Sequence, residues 1–110
     1  MNSRDGNTPM NDEQTLEAEI QKKGLTAPRV TLEMLDDEIR DTQFHVFHGS
    51  QLTVCCLTLK NGFTVTGESA CASPENFNRE IGEQIAFRNA RDKIWAFLGF
   101  RLKDKIGGLK

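Results

Sequence analysis

The sequence predicts an α+β domain in which a small antiparallel sheet packs against a long C-terminal helix. Asn61-Gly62 lies between two runs of β-forming residues, which indicates a hairpin, because Asn-Gly tolerates the positive φ angles of a tight turn. Ser73-Pro74 is typical of a helix start, since serine can cap and proline lacks only an N–H that has no helical partner there. With 110 residues the chain can form one domain with a modest core.

Before the sheet, the pattern predicts an extension and two short helices. Residues 1–24 are polar and predict a flexible or weakly helical extension, whereas residues 25–110 predict a single α+β domain. Within the extension, residues 12–23 carry helix formers but only a narrow apolar face. Thr31 can cap a second helix in residues 32–40, whose leucines and isoleucine fall on one side.

The sheet is predicted to combine a strand at residues 42–48 with a hairpin of residues 52–60 and 63–69. If the turn has two residues, Thr58 faces Val65, and neither face of the hairpin is purely apolar. Such a sheet is usually covered by a helix on one side and partly by a neighbour on the other. We therefore expect a second subunit at the sheet.

The long helix is predicted over residues 74–98, and it carries two apolar stripes. At 100° per residue these stripes lie on opposite sides of the helix; they consist of Phe77, Ile81 and Ile85, and of Ala90, Ile94 and Leu98. A surface helix needs one stripe to face its core, so two stripes again predict a homo-oligomer, a dimer or a larger assembly.

Composition restricts the environment of the protein. No apolar run approaches the roughly 18 residues of a membrane span, and the N-terminus has no apolar segment typical of a secretory signal. Three cysteines do not make a disulfide framework, so we expect a reduced, cytoplasmic setting. The net charge of −2 divides into −6 for residues 1–78 and +4 for residues 79–110. This asymmetry could steer an anionic ligand or pair two copies, or be ordinary solvated surface.

The chemistry-bearing residues do not form a catalytic or metal-binding pattern. Two histidines, three cysteines and scattered serines select no nucleophilic triad. His45 and His48 are three apart in a predicted strand and would point to opposite faces, as would the adjacent Cys55 and Cys56. We therefore expect no enzyme activity, no metal and no cofactor.

The loop that enters the long helix is the best candidate for a binding site. Free N–H groups in the first helical turn, together with the helix dipole, can hold an anion, and the Phe77 ring can stack on a nucleobase. Glu75 could instead satisfy the dipole, and Phe77 could be a core residue. Arginines can bind the phosphates of a nucleotide, and amides can pair with its base or ribose. The predicted ligand-binding residues are therefore Phe77, Asn76, Arg88, Asn89, Arg91 and Arg101. The basic tail could also touch nucleic acid, although the net charge argues against it.

Three motifs carry a resemblance to a known family. They are Asn61-Gly62-Phe63, the loop GESACASPENF from Gly67 to Phe77, and NARDKIW from Asn89 to Trp95; APRVT at residues 27–31 fits as a lead-in. This pattern resembles the small tailed-phage and prophage proteins known as the gp-forty-nine-like family. The resemblance is close over about 50 residues and excludes the first 24.

The resemblance implies a function for the chain in the host bacterial cytoplasm. The family includes the Thoeris anti-defence proteins of the first type, which imply an oligomer that sequesters a cyclic ADP-ribose isomer, and related members hold cyclic oligonucleotides. Phe77 and Asn89 match shared motif positions, so the resemblance implies that they contact the adenine or a sugar. The alternatives are a phage early protein that inhibits a host protein and an accessory nucleic-acid-binding protein.

Overall fold

The structure is a computed structural model that describes residues 27–108 together with Leu16, Ala18 and Glu19. Its elements in chain order are α1 (Leu32–Glu38), β1 (Ile39–Val46), β2 (Leu52–Leu59), β3 (Thr64–Ala70), a short 3-10 helix (Pro74–Asn76), α2 (Arg79–Asp92) and α3 (Ile94–Ile106). The strands form an antiparallel sheet in the order β1-β2-β3. Helix α2 packs on β2 and β3, whereas α1 contacts β1 and α3. The predicted α+β fold is confirmed.

The helix predicted after Thr31 is present but shorter than expected. The Thr31 hydroxyl accepts a hydrogen bond from the Met34 N–H at 3.1 Å, which confirms the predicted cap. The helix ends at Glu38 because Ile39 adopts an extended conformation, with φ −81° and ψ 117°. Strand β1 therefore begins at Ile39 rather than at residue 42. The helix predicted in residues 12–23 lies almost wholly outside the described residues; Leu16, Ala18 and Glu19 are helical.

The predicted register of the hairpin was wrong by one residue. The turn is not a two-residue loop: Leu59 N–H donates to Phe63 O at 2.8 Å, and Gly62 N–H donates to Leu59 O at 2.9 Å. Within the turn, Gly62 has a positive φ of 91°, and the Asn61 side chain accepts a hydrogen bond from the Phe63 N–H. This is the three-residue loop with a left-handed glycine, so one more residue enters the turn and every later pair shifts.

The true register separates the two faces of the sheet. Leu57 faces Val65 and Cys55 faces Gly67, and all four residues are buried. The other face carries Cys56 opposite Thr66 and is half-buried to exposed. The buried face also carries Thr53 opposite Ser69, so the prediction that neither face is purely apolar is confirmed. Helix α2 covers one face, and the second subunit expected at the sheet stays a prediction for the other face.

The long helix begins later and ends later than predicted. Ser73 does not cap it; Pro74 opens the short 3-10 helix instead, and the Asn78 side chain accepts from Ile81 N–H at 3.0 Å to start α2 at Arg79. Lys93 interrupts the helical hydrogen bonds but keeps helical φ and ψ, and α3 then continues to Ile106. The predicted bounds 74–98 thus become two consecutive helices over 79–106.

Of the two predicted stripes, one is buried and the other is open. Ala90, Ile94 and Leu98 belong to the core, together with Ala86. Ile81 is 54% exposed and Ile85 is 37% exposed, and Phe77 is half-buried. The two stripes exist as predicted, but the described residues bury only the second one.

A close approach of backbone to backbone holds α2 on the sheet. A Cβ built on Gly67 would lie 2.2 Å from Ala90 N and 2.4 Å from Ala86 O. No larger residue fits there, because these are main-chain atoms that cannot rotate away. Ala86 and Ala90, four apart and both fully buried, provide the matching small surface on the helix.

We predict that Gly67→Ala destabilises the protein by roughly 2–4 kcal/mol, because the new methyl group must push α2 off the sheet. Gly99→Ala is the matched control. A Cβ on Gly99 meets nothing within 4 Å, so this change in a helix should stabilise by about 0.5–1 kcal/mol. Denaturant unfolding of both variants measures the difference. Equal effects of the two substitutions would contradict the close approach.

A second prediction concerns Thr53, whose side chain is buried against the Gly82 backbone. Its hydroxyl has no hydrogen-bond partner among the described residues, and the residue is 1% exposed. We expect Thr53→Val to leave the free energy of unfolding unchanged or to raise it by about 1 kcal/mol, because it removes a desolvated polar group. Thr31→Val should instead cost about 1 kcal/mol through the lost cap. A loss at Thr53 as large as that at Thr31 would show that its hydroxyl is paired.

Candidate functional site

A shallow groove of about 130 Å³ lies where β3 ends and α2 begins. The loop after β3 crosses the start of the helix, so the groove has the strand end on one side and the first two turns of α2 on the other. Its apolar walls are Phe77, Ile81 and Ile85. All three residues of the open stripe therefore line the groove.

Polar groups line the rest of the groove. The side chains of Gln51, Ser69, Asn76 and Asn78 contribute amides and a hydroxyl, and Cys71 contributes a thiol that contacts the Ser73 carbonyl at 3.3 Å. Amides donate and accept, so this lining suits a ligand with mixed hydrogen-bonding edges next to an apolar ring. No Lys or Arg is among the described residues that line the groove.

The electrostatics of the loop do not favour an anion at the helix start. Ser73 Oγ donates a hydrogen bond to the Glu75 carboxylate. This bond lowers the pKa of the Glu75 carboxyl, and a hydrogen bond from a backbone N–H lowers it further. Glu75 is therefore ionised at neutral pH next to the first turn. Arg79 pairs with Glu83 at 3.0 Å, and the Asn78 side chain occupies the Ile81 N–H. The anion site predicted at this helix start thus has an anionic neighbour and one fewer free donor.

Three of the predicted ligand-binding residues make hydrogen bonds or ion pairs within the chain: Asn89, Arg91 and Arg101. Asn89 Nδ2 donates to the Glu68 carbonyl at 2.9 Å and ties α2 to β3. Arg91 Nε lies 2.9 Å from Asp36 Oδ1 and joins α2 to α1, and only 11% of its side chain is exposed. These two residues fix the position of α2 on either side.

Arg101 makes a two-pronged ion pair with Glu38. Its two terminal nitrogens lie 3.1 and 3.2 Å from the two carboxylate oxygens. Because the Glu38 side chain is only 9% exposed, the guanidinium compensates a carboxylate that would otherwise be buried alone. Arg101 thereby holds α3 against α1.

The structure brings together only part of the predicted set. Asn76 and Phe77 line the groove. Arg88 is exposed and forms no ion pair with the described residues, and its spacing from Ile81 and Ile85 places it on the same side of α2. Sequence reasoning missed the groove residue Asn78, although an asparagine just before a run of helix formers is itself a helix-start signal.

The cysteines and histidines form no centre within the described residues. Burial, and then the neighbouring Cys56 and Glu83, raise the pKa of the Cys55 thiol to about 11, so it stays protonated at neutral pH. All three cysteines are free thiols. His45 lies edge-on to Phe47, with ring centroids 4.6 Å apart. Over residues 27–108 no group of three or more His, Cys, Asp or Glu side chains is placed to hold a metal ion.

Comparison with known proteins identifies the family. Residues 30–106, well over half of the chain, match the phage protein (N4 Gp49/phage Sf6 gene 66) family. The chain belongs to this phage protein family. No curated protein and no solved structure matches it. None of the helices in the described part of this phage-family protein is long and apolar enough to cross a membrane.

We predict that Arg101→Ala lowers the free energy of unfolding by roughly 2 kcal/mol, because it leaves the Glu38 carboxylate buried without its partner. Arg88→Ala removes the same side chain from an exposed position without an ion pair to the described residues, so it should change stability by less than about 0.5 kcal/mol. Thermal and denaturant unfolding of the two variants would test this contrast. A stable Arg101→Ala protein would show that the ion pair does not hold α3.

Proposed function

We propose that this phage-family protein binds a cyclic nucleotide immune signal and sequesters it without cleaving it. The signal would be a cyclic ADP-ribose isomer or a cyclic oligonucleotide in the cytoplasm of the host bacterium. The observation that carries the proposal is the groove, in which Phe77 and Asn76 of the motif PENF stand side by side.

The lining of the groove matches the parts of a nucleoside. An aromatic ring offers a face for an adenine, while the amides of Asn76, Asn78 and Gln51 can pair with base edges and ribose hydroxyls. These groups bind but supply no nucleophile with an adjacent base, so retention of the ligand is the proposed outcome.

The size of the groove supports an assembly of several copies. A volume of about 130 Å³ is well below the roughly 300–1,000 Å³ of typical small-molecule pockets, so one chain would cover only part of such a ligand. The exposed Ile81 and Ile85 border the groove and offer an apolar surface to a second copy. We propose that this copy completes the site.

The phosphates of the ligand require positive charge that the groove lacks. Arg88 stands on the same side of α2 as Ile81 and Ile85 and has no partner among the described residues, so it can reach a ligand held between two copies. Asn89, Arg91 and Arg101 serve in this proposal to position α2 and α3. The predicted set thus divides into residues that touch the ligand and residues that position the two helices.

Calorimetric titration against cyclic ADP-ribose isomers and cyclic di- and trinucleotides tests the proposal. We expect tight binding, and recovery of the unaltered ligand by mass spectrometry after denaturation. Phe77→Ala should weaken binding at least about tenfold through loss of stacking. Phe47→Ala, which removes an exposed ring outside the groove, should not weaken it.

The possible contrary results are distinct. Recovery of a conversion product would overturn sequestration, and no heat with any of these nucleotides would overturn the ligand class. Equal binding by the Phe77→Ala and Phe47→Ala variants would move the site away from the groove.

A further inference from the structure

An exposed aromatic patch lies at the other end of β3 from the groove. Phe63 in the hairpin loop contacts Phe97 of α3, with ring centroids 5.2 Å apart and planes at 74°. Phe100 follows one turn later on the same helix. These three residues, named here the aromatic patch, are 53%, 43% and 71% exposed, respectively. Exposure of this extent is unusual for phenylalanine and points to a partner.

The geometry leaves ring faces available. In an edge-to-face pair the ring that presents its edge keeps both of its faces free of the other ring. Phe100 makes no ring contact within the described residues. The patch therefore offers exposed aromatic surface of the kind on which proteins stack bases.

Positive charge surrounds the patch. Lys93, Phe97 and Phe100 are spaced by four and three residues and so share one side of the helix, and Lys103 follows Phe100 by three. Lys60 belongs to the same hairpin loop as Phe63. All three lysines are exposed, and none forms an ion pair with the described residues.

The local charge differs in sign from that of the whole chain. Residues 93–108 hold four Lys and Arg against Asp104 alone, a balance of +3, although the chain carries −2. Asp104 is half-buried and lies beyond Phe100 on the same side of α3. The acidic excess belongs to residues 1–78, outside the helix that bears the patch.

We propose that the aromatic patch, together with Lys60, Lys93 and Lys103, binds single-stranded nucleic acid. Bases stack on the exposed phenylalanines, and the lysines contact the phosphates. Stacking tolerates any base and the charges contact only the backbone, so the binding is not sequence-specific. The proposal concerns a surface separate from the groove and does not depend on nucleotide sequestration.

Fluorescence anisotropy of the full chain with a labelled oligothymidylate of about 20 nucleotides is the test. We expect binding at about 50 mM salt that weakens steeply as salt rises. Phe100→Ala should weaken it at least about fivefold. Ile106→Ala shortens an exposed apolar side chain on the same helix outside the patch, so it should not weaken binding.

A matched pair of charge reversals tests the lysines. Lys103→Glu next to the patch should weaken binding, whereas Lys105→Glu, which lies near Glu38 and Arg101 on another side of α3, should have a smaller effect. Because Phe100 is 71% exposed, its truncation should leave the melting temperature unchanged, which separates binding from folding.

Two outcomes would overturn the proposal: the absence of an anisotropy change at about 50 mM salt, and equal binding by the Phe100→Ala and Ile106→Ala variants. The absence of binding by the wild type could come with a fall in the assembly mass of Phe100→Ala, measured by sedimentation. That result would make the patch a contact between copies of the chain.

Discussion

The contact between Gly67 and the small residues of α2 sets the geometry of the rest of the molecule. Since a Cβ at Gly67 would meet Ala90 N at 2.2 Å, helix and strand lie as close as main chains can. The groove forms beyond the end of this contact, where β3 leaves the helix and the loop with Phe77 crosses over. The aromatic patch forms beyond its other end, where α3 meets the hairpin loop. A seven-residue strand of about 20 Å separates the two surfaces.

Local sequence signals predicted the helices and strands well. The boundaries of these elements depended on competition between similar signals. Thr31 was the right cap for α1, and Asn61-Gly62 marked a real turn. The turn type was wrong, because Asn-Gly also suits a loop in which only the glycine is left-handed. Ser73 and Asn78 are both good caps, and Asn78 starts the α-helix. Capping propensity alone does not decide which of two residues, five positions apart, caps the helix. Tertiary packing of the helix selects between them.

The candidate site was harder to predict than the fold because one residue type can serve two purposes. Arginine is suited both to phosphates and to buried carboxylates, and the sequence does not show which partner is near. Arg91 and Arg101 found theirs in Asp36 and Glu38, residues more than fifty positions earlier in the chain. Asp36 and Glu38 belong to the acidic end of α1 and pair with arginines of the two helices that follow the sheet. These pairs are long-range contacts that no local pattern contains.

The open apolar stripe, Phe77, Ile81 and Ile85, links the fold to the proposed assembly. The corrected hairpin register assigns one face of the sheet to the core and leaves the other face half-buried to exposed, so the second subunit expected at the sheet stays a prediction. The helix-based argument became stronger: Ile81 and Ile85 lie exposed on the side opposite Ala86 and Ala90. Two exposed isoleucines one turn apart cost solubility and add nothing to the monomer core. Their position in the lining of a groove of about 130 Å³ supports the proposal of a site shared between two copies of the chain.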